Sequence, residues 1–285
     1  MNSFKVDAGT GALSAVQTIN YSYDAASSQL AVHPSGTYLY NTAGPCVLAY
    51  TIDPATGNLS QSSCSVQAVG PLTVAPPGNF AYSGTQSPDT SYVNVYAITQ
   101  SDGSLTLLQS VVSAGNGGVL ASDPQGRALY ELTVPNMPFQ CGQLELWSID
   151  QQTGGLTPVN SSFNPQCVPS SISFDPGDHF AYVTAKDGDQ GLQDGVFAAT
   201  VDASGNLTDI SGSPFAANTQ AQMGAVEPSM GKYLLEINAG SPGSGFQVIP
   251  FSIDSNTGKL TQVANAATAI GGSQYQRMVV VAPMQ

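Results

Sequence analysis

Residues 147–157 read Trp-Ser-Ile-Asp-Gln-Gln-Thr-Gly-Gly-Leu-Thr. Alternating apolar and polar residues run into a polar turn and alternation resumes at Leu156, the pattern of a β-hairpin whose glycine supplies a positive φ. The phrase Asp-x-x-Thr-Gly-x-Leu recurs at residues 7–13, 53–59 and 254–260, with looser copies at 99–105 and 202–207. Its turn glycines are Gly11, Gly57, Gly103, Gly154, Gly205 and Gly258, spaced 46, 46, 51, 51 and 53 residues apart. A self-similar period near 50 belongs to the whole chain and decides its architecture before any single element is assigned.

A second phrase precedes the first in each full unit: an apolar strand, a turn with Pro and Gly, then an aromatic-rich strand. It occupies residues 30–40, 72–82, 120–130, 172–182 and 224–235. Four short strands per unit, with no helical periodicity between them, predict a β-propeller blade. The chain is therefore expected to be all-β, one propeller domain over residues 1–285, with no helix longer than a turn or two. It begins inside a third strand (residues 3–6) and finishes on a first strand (278–282). Six repeat modules are expected, the termini sharing one blade that has no obvious second strand; the alternative is a seven-bladed protein missing about one blade.

Charge narrows the function classes. Asp and Glu number 19 against 6 Lys and Arg, a net charge of -13, and charged residues are only 9% of the chain, against roughly 25% in ordinary soluble proteins. There is no basic footprint for nucleic acid or anionic lipid. No apolar run approaches the roughly 18 residues of a spanning helix, and residues 1–20 lack the pattern of a signal peptide. A surface of neutral polar side chains fits an exported protein, so an extracellular or periplasmic mature form, acting as a monomer, is expected.

The repeat also places the four cysteines. Cys46 opens a third strand and Cys64 closes the fourth, side by side across the hairpin; Cys141 and Cys167 hold the equivalent places two units later. Of three possible connectivities, Cys46–Cys64 with Cys141–Cys167 is favoured, and four buried thiols are the alternative. The absence of Cys-x-x-Cys argues against zinc.

Candidate site residues are few. His33 stands where other units carry Asp123, Asp175 and Glu227, just before the turn proline, and His179 lies in the same turn of a later unit, so both read as turn variants. Glu131 and Glu236 follow the second-strand aromatic segment, where neighbouring units are neutral, and are the best channel-side acids. Ser28, Gly70, Gly118, Ser170, Gln222 and Arg277 share one slot at the entrance of the innermost strands. Arg277 is its only cation and would receive an anionic ligand through its planar donor fork, or pair with a surface acid. The loop with Asp187, Asp189 and Asp194 offers oxygen ligands to Ca²⁺, but it lacks the third Asp and downstream Glu of an EF-hand, and a solvated loop is the plainer reading. No other cofactor is expected.

The phrases at 147–157 and at 174–183, Phe-Asp-Pro-Gly-Asp-His-Phe-Ala-Tyr-Val, resemble the lactonase-type seven-bladed propeller family. That family includes 6-phosphogluconolactonase-like enzymes, the fungal carboxymuconate cyclase and many exported bacterial propellers. The resemblance spans nearly the whole chain through turn and strand signals. It implies a ring with a central channel and, in the family's enzymes, a mouth carrying His, Glu and Arg that acts on a lactone carboxylate. A Pro-His pair holds the ring slot of one blade in those enzymes; here the pair is Pro169-Ser170. Two functions follow as expectations. The first is a non-catalytic scaffold binding a small anionic molecule, a glycan or a protein; the alternative is a lactonase-type hydrolase or cycloisomerase with a rearranged site, using Glu131, Glu236 or His33.

Overall fold

The computed structural model describes residues 2–6, 13–19, 30–42, 46–66, 70–85, 90–113, 118–133, 142–163, 168–186, 194–215, 221–227, 230–238, 246–264 and 266–269. All regular structure in them is strand. Strands β1 (Asn2–Val6) and β2 (Leu13–Thr18) form an antiparallel hairpin. Blade I contains β3 (Leu30–Val32), β4 (Tyr38–Asn41), β5 (Leu48–Ile52) and β6 (Leu59–Cys64). Blade II contains β7 (Leu72–Ala75), β8 (Phe80–Thr85), β9 (Ser91–Ile98) and β10 (Leu105–Ser113). Blade III follows with β11 (Val119–Ser122), β12 (Ala128–Leu132), β13 (Leu144–Ile149) and β14 (Leu156–Val159). Blade IV is β15 (Val168–Phe174), β16 (Phe180–Lys186), β17 (Gly195–Val201) and β18 (Leu207–Asp209). Blade V is β19 (Ala221–Val226), β20 (Tyr233–Asn238), β21 (Gln247–Ile253) and β22 (Leu260–Gln262), with β23 (Thr268–Ala269) extending the outer edge along β21.

Each blade is an up-and-down antiparallel sheet, and the first strands β3, β7, β11, β15 and β19 contact one another in succession. This is the radial packing of a β-propeller. Against the six modules expected, the described residues hold five complete blades and the β1–β2 hairpin. The hairpin is the pair expected as third and fourth strands of a shared blade, and residues 278–282, expected as its first strand, lie outside the described residues. Gln17 of β2 ties it to blade I, its amide donating to the Leu59 carbonyl at 3.2 Å and its oxygen accepting from the Leu59 N–H at 2.7 Å.

The core is divided among the seams between blades, because each sheet is too thin to bury its own faces. Tyr40 and Val47 meet Leu72 and Tyr96 between I and II, Tyr82 and Val95 meet Leu129 and Trp147 between II and III, and Tyr182 and Ala198 meet Leu234 and Phe251 between IV and V. The repeated turn explains its own sequence. Gly57, Gly103, Gly154, Gly205 and Gly258 all adopt φ between 68° and 84°, where a Cβ is strained. The leading Asp caps the turn: Asp53 Oδ1 accepts the Ala55 and Thr56 amides at 2.8 and 2.9 Å, and Asp150 and Asp254 repeat the bonds. Those amides hold the three carboxyls below their usual range.

Candidate functional site

The ring slot at the entrance of the innermost strands changes character around the molecule. In blades II and III it holds Gly70 and Gly118, whose missing side chains let the first strand run against the backbone of Gly84 and of Leu132. In blades IV and V the register slips by one residue, between Pro169 and Ser171 and between Ala221 and Met223. The bulged residues are Ser170 and Gln222, both half-buried. Ser170 donates its hydroxyl to the Thr184 carbonyl at 3.1 Å. Bulges of this kind re-aim a side chain and recur beside functional sites. Ser28 and Arg277, assigned to the same slot, lie outside the described residues.

The inner turns between first and second strands lock the blades together. His33 is buried, accepts the Ser35 amide at Nδ1 (3.1 Å) and therefore carries its proton on Nε2, which donates to the Gly78 carbonyl of blade II at 2.8 Å. Its Nδ1 does the work that Asp123 and Asp175 do with carboxylates, which accept the Arg127 amide at 2.6 Å and the His179 amide at 2.7 Å. His179 itself is 73% exposed and 3.4 Å from Asp175. Arg127 bridges blades III and IV, donating from Nε to Asp123 at 3.0 Å and from a terminal nitrogen to Asp178. The sequence carries one sign of this bridge: Arg127 follows the turn glycine Gly126 of blade III, and the equivalent turn of blade IV places Asp178 at that glycine's position.

Glu131 and Glu236 are fully buried in the seams facing the preceding blade. Glu131 accepts the Ser113 hydroxyl of blade II at 2.7 Å, while its other oxygen has no described partner. Burial pushes it up to about 7. Burial pushes the Glu236 carboxyl up to about 8, with the Asn238 side chain opposing that push and Asp194 adding to it, and neither Glu236 oxygen has a partner at full hydrogen-bond geometry among the described residues. Both acids thus sit inside seams rather than open to an axis. Alternation along a strand tells which face a side chain takes but not which neighbour covers that face.

Cys46 and Cys64 are bonded across β5 and β6, with Cα atoms 5.7 Å apart. Cys141 and Cys167 lie outside the described residues, as do Asp187 and Asp189; Asp194 is half-buried just before β17. Among the described residues no three His, Cys, Asp or Glu side chains gather as a metal cluster, and no helix is long and apolar enough to cross a membrane. On the outside of the ring, β10 is the longest fourth strand. It exposes Leu107, Leu108 and Val112, and Val112 lines a cavity of about 490 Å³ that reaches Trp147 and Pro158.

No family model matches the sequence, and no curated protein matches it. Solved structures match in shape. A candidate 6-phosphogluconolactonase from Bacteroides uniformis aligns with a TM-score of 0.69 at 15% identity, over 95% of this chain and 78% of that one. A functionally unknown protein from Desulfotomaculum acetoxidans gives 0.66 at 15% identity, over 94% and 75%. A candidate TolB from Agrobacterium tumefaciens gives 0.54 at 12% identity, over 88% and 83%. The chain has the β-propeller fold that these proteins share.

Proposed function

We propose that this protein is an exported β-propeller that binds a small polar ligand, an anion or a glycan, at the mouth of its central channel and does not turn it over. The observation that carries the reading is the change in the ring slot, from Gly70 and Gly118 to the bulged Ser170 and Gln222 of adjacent blades. Ser and Gln offer both donors and acceptors, and Arg277, in the same slot by the repeat, adds a planar fork for a carboxylate or phosphate. The ring closes in this reading as six modules, residues 278–282 joining the β1–β2 hairpin. Export is supported by the Cys46–Cys64 bond, since such bonds persist outside the reducing cytosol.

Lactone opening needs a proton-transfer group within reach of the substrate. His33 is engaged by two turns, and Glu131 and Glu236 are sealed in seams. Calorimetric titration with a sugar-acid phosphate and with neutral oligosaccharides tests the binding reading. Anion binding is expected to weaken by about 1.5–3 kcal/mol in Arg277→Ala, the worth of a charge-assisted hydrogen bond. Affinity unchanged in Arg277→Ala, Ser170→Ala and Gln222→Ala would remove the slot as the site.

A further inference from the structure

In blades I to IV the first and second strands pair in one register, and blade V follows it with a turn one residue longer. At one step of it the partners are Leu30 with Asn41, Leu72 with Ser83, Leu120 with Glu131 and Ile172 with Val183. Blade V pairs Gly224 with Glu236 instead. A site built on a repeat scaffold breaks the repeat, and here two substitutions at one step remove an aliphatic side chain and add a carboxylate.

Directly paired residues project to the same face of a sheet, and a Cβ at Gly224 would stand 2.5 Å from Thr184 Oγ1 of blade IV. The Glu236 carboxylate and the Thr184 hydroxyl therefore share one side of the seam. Both residues are fully buried, and Thr184 Oγ1 and both Glu236 oxygens have no partner at full hydrogen-bond geometry among the described residues. Ser171, paired with Thr184, accepts the Gly224 amide at 2.9 Å and fixes the two blades against each other. Asn238 lies two residues along from Glu236, on the same face and buried. The contrast is Glu131, which has Leu120 beside it and Ser113 bonded to it.

A buried carboxylate without counter-charge or hydrogen bonds costs several kcal/mol. No described Lys, Arg or His forms an ion pair with Glu236. We infer that the seam between blades IV and V is a site for one hard divalent cation of the Ca²⁺ class, bound by the Glu236 carboxylate and the Thr184 hydroxyl, with Asn238 and Asp194 beside it. The candidate donors are oxygen or amide groups, with no thiolate or imidazole, which suits Ca²⁺ over zinc. Burial pushes the Glu236 carboxyl up, and a bound cation would oppose that push.

Titrating the metal-stripped full chain with Ca²⁺, and counting metal retained after dialysis, tests the inference. One Ca²⁺ per chain is expected. Glu236→Gln and Thr184→Val should each lower affinity by about tenfold or more, and Glu131→Gln should leave it unchanged. Thr184→Val keeps the side-chain shape and serves where Glu236→Gln does not fold. No saturable binding up to about 1 mM, the weak range for extracellular sites, would overturn the inference and leave a protonated acid with buried water in the seam. Binding equal to wild type in both seam variants would also overturn it, placing the ion outside the seam.

Discussion

The Tyr130 hydroxyl of β12 donates to the carbonyl of Gly205, 2.7 Å away in the hairpin turn of the next blade. Tyr82 reaches Gly154 and Tyr182 reaches Gly258 in the same way, each at 3.1 Å. The repeated glycine therefore has two tasks: it adopts the positive φ of the turn and presents the acceptor that joins one blade to the next. Burial keeps these tyrosines protonated far above their usual range. Tyr130→Phe is expected to cost about 1–2 kcal/mol in a urea unfolding series, because a buried carbonyl loses its donor. Tyr40, whose buried hydroxyl has no described partner, is the internal control; Tyr40→Phe should be neutral or stabilising. Equal losses in the two variants would show that the inter-blade bond contributes nothing.

His33 joins two inner turns, whereas His179 is largely in solvent. His33→Ala should lower stability by about 1–3 kcal/mol, because the Ser35 amide loses its acceptor and the Gly78 carbonyl keeps only the Gln100 amide, while His179→Ala should stay within about 0.5 kcal/mol. Denaturant midpoints measure both. An unchanged midpoint in His33→Ala would release His33 from its structural role.

Stability of the metal-free protein should fall as pH rises. Free Glu titrates near 4.5, but Glu131 and Glu236 hold their protons to about 7 and about 8 in the fold. Between those limits the native state binds more protons than the unfolded chain, so the contribution is complete below about 4.5 and is lost as pH passes the folded values. Asp178, raised to about 6 by burial and the neighbouring Asp123, acts in the same direction. Each Glu is expected to account for a change on the order of 3–5 kcal/mol, and Glu131→Gln should flatten the profile. Stability that rises from about pH 5 to about pH 8 would contradict the assignment.

The turns and the blades were legible because their signals are local. Asp53, Gly57 and Leu59 say what the backbone does within seven residues, and every described copy obeys. The seams were not legible in the same way. Glu131 and Glu236 stood out as acids in neutral slots, but their cover comes from Ser113 and Thr184, residues of other units that no periodicity links to them. Gly224 was visible as a glycine among Leu30, Leu72, Leu120 and Ile172; its meaning needed the register that sets it against Glu236.

The Cys46–Cys64 bond closes a hairpin with a sequence separation of 18. Replacing both cysteines by alanine should cost about 3 kcal/mol if loop entropy governs. Non-reducing peptide mapping should recover Cys46 linked to Cys64, and Cys141 linked to Cys167 if the second pair repeats the first. A crossed linkage such as Cys64–Cys141 would contradict the equivalence of the two positions.

Steady-state hydrolysis of 6-phosphogluconolactone by the purified full chain is the most direct test of binding without turnover. The engaged His33 and the sealed Glu131 and Glu236 lead to a rate equal to that of buffer alone, unchanged in Glu131→Gln. Turnover that survives repurification and falls when His33, Glu131 or Glu236 is replaced would contradict the account and make this propeller a lactonase.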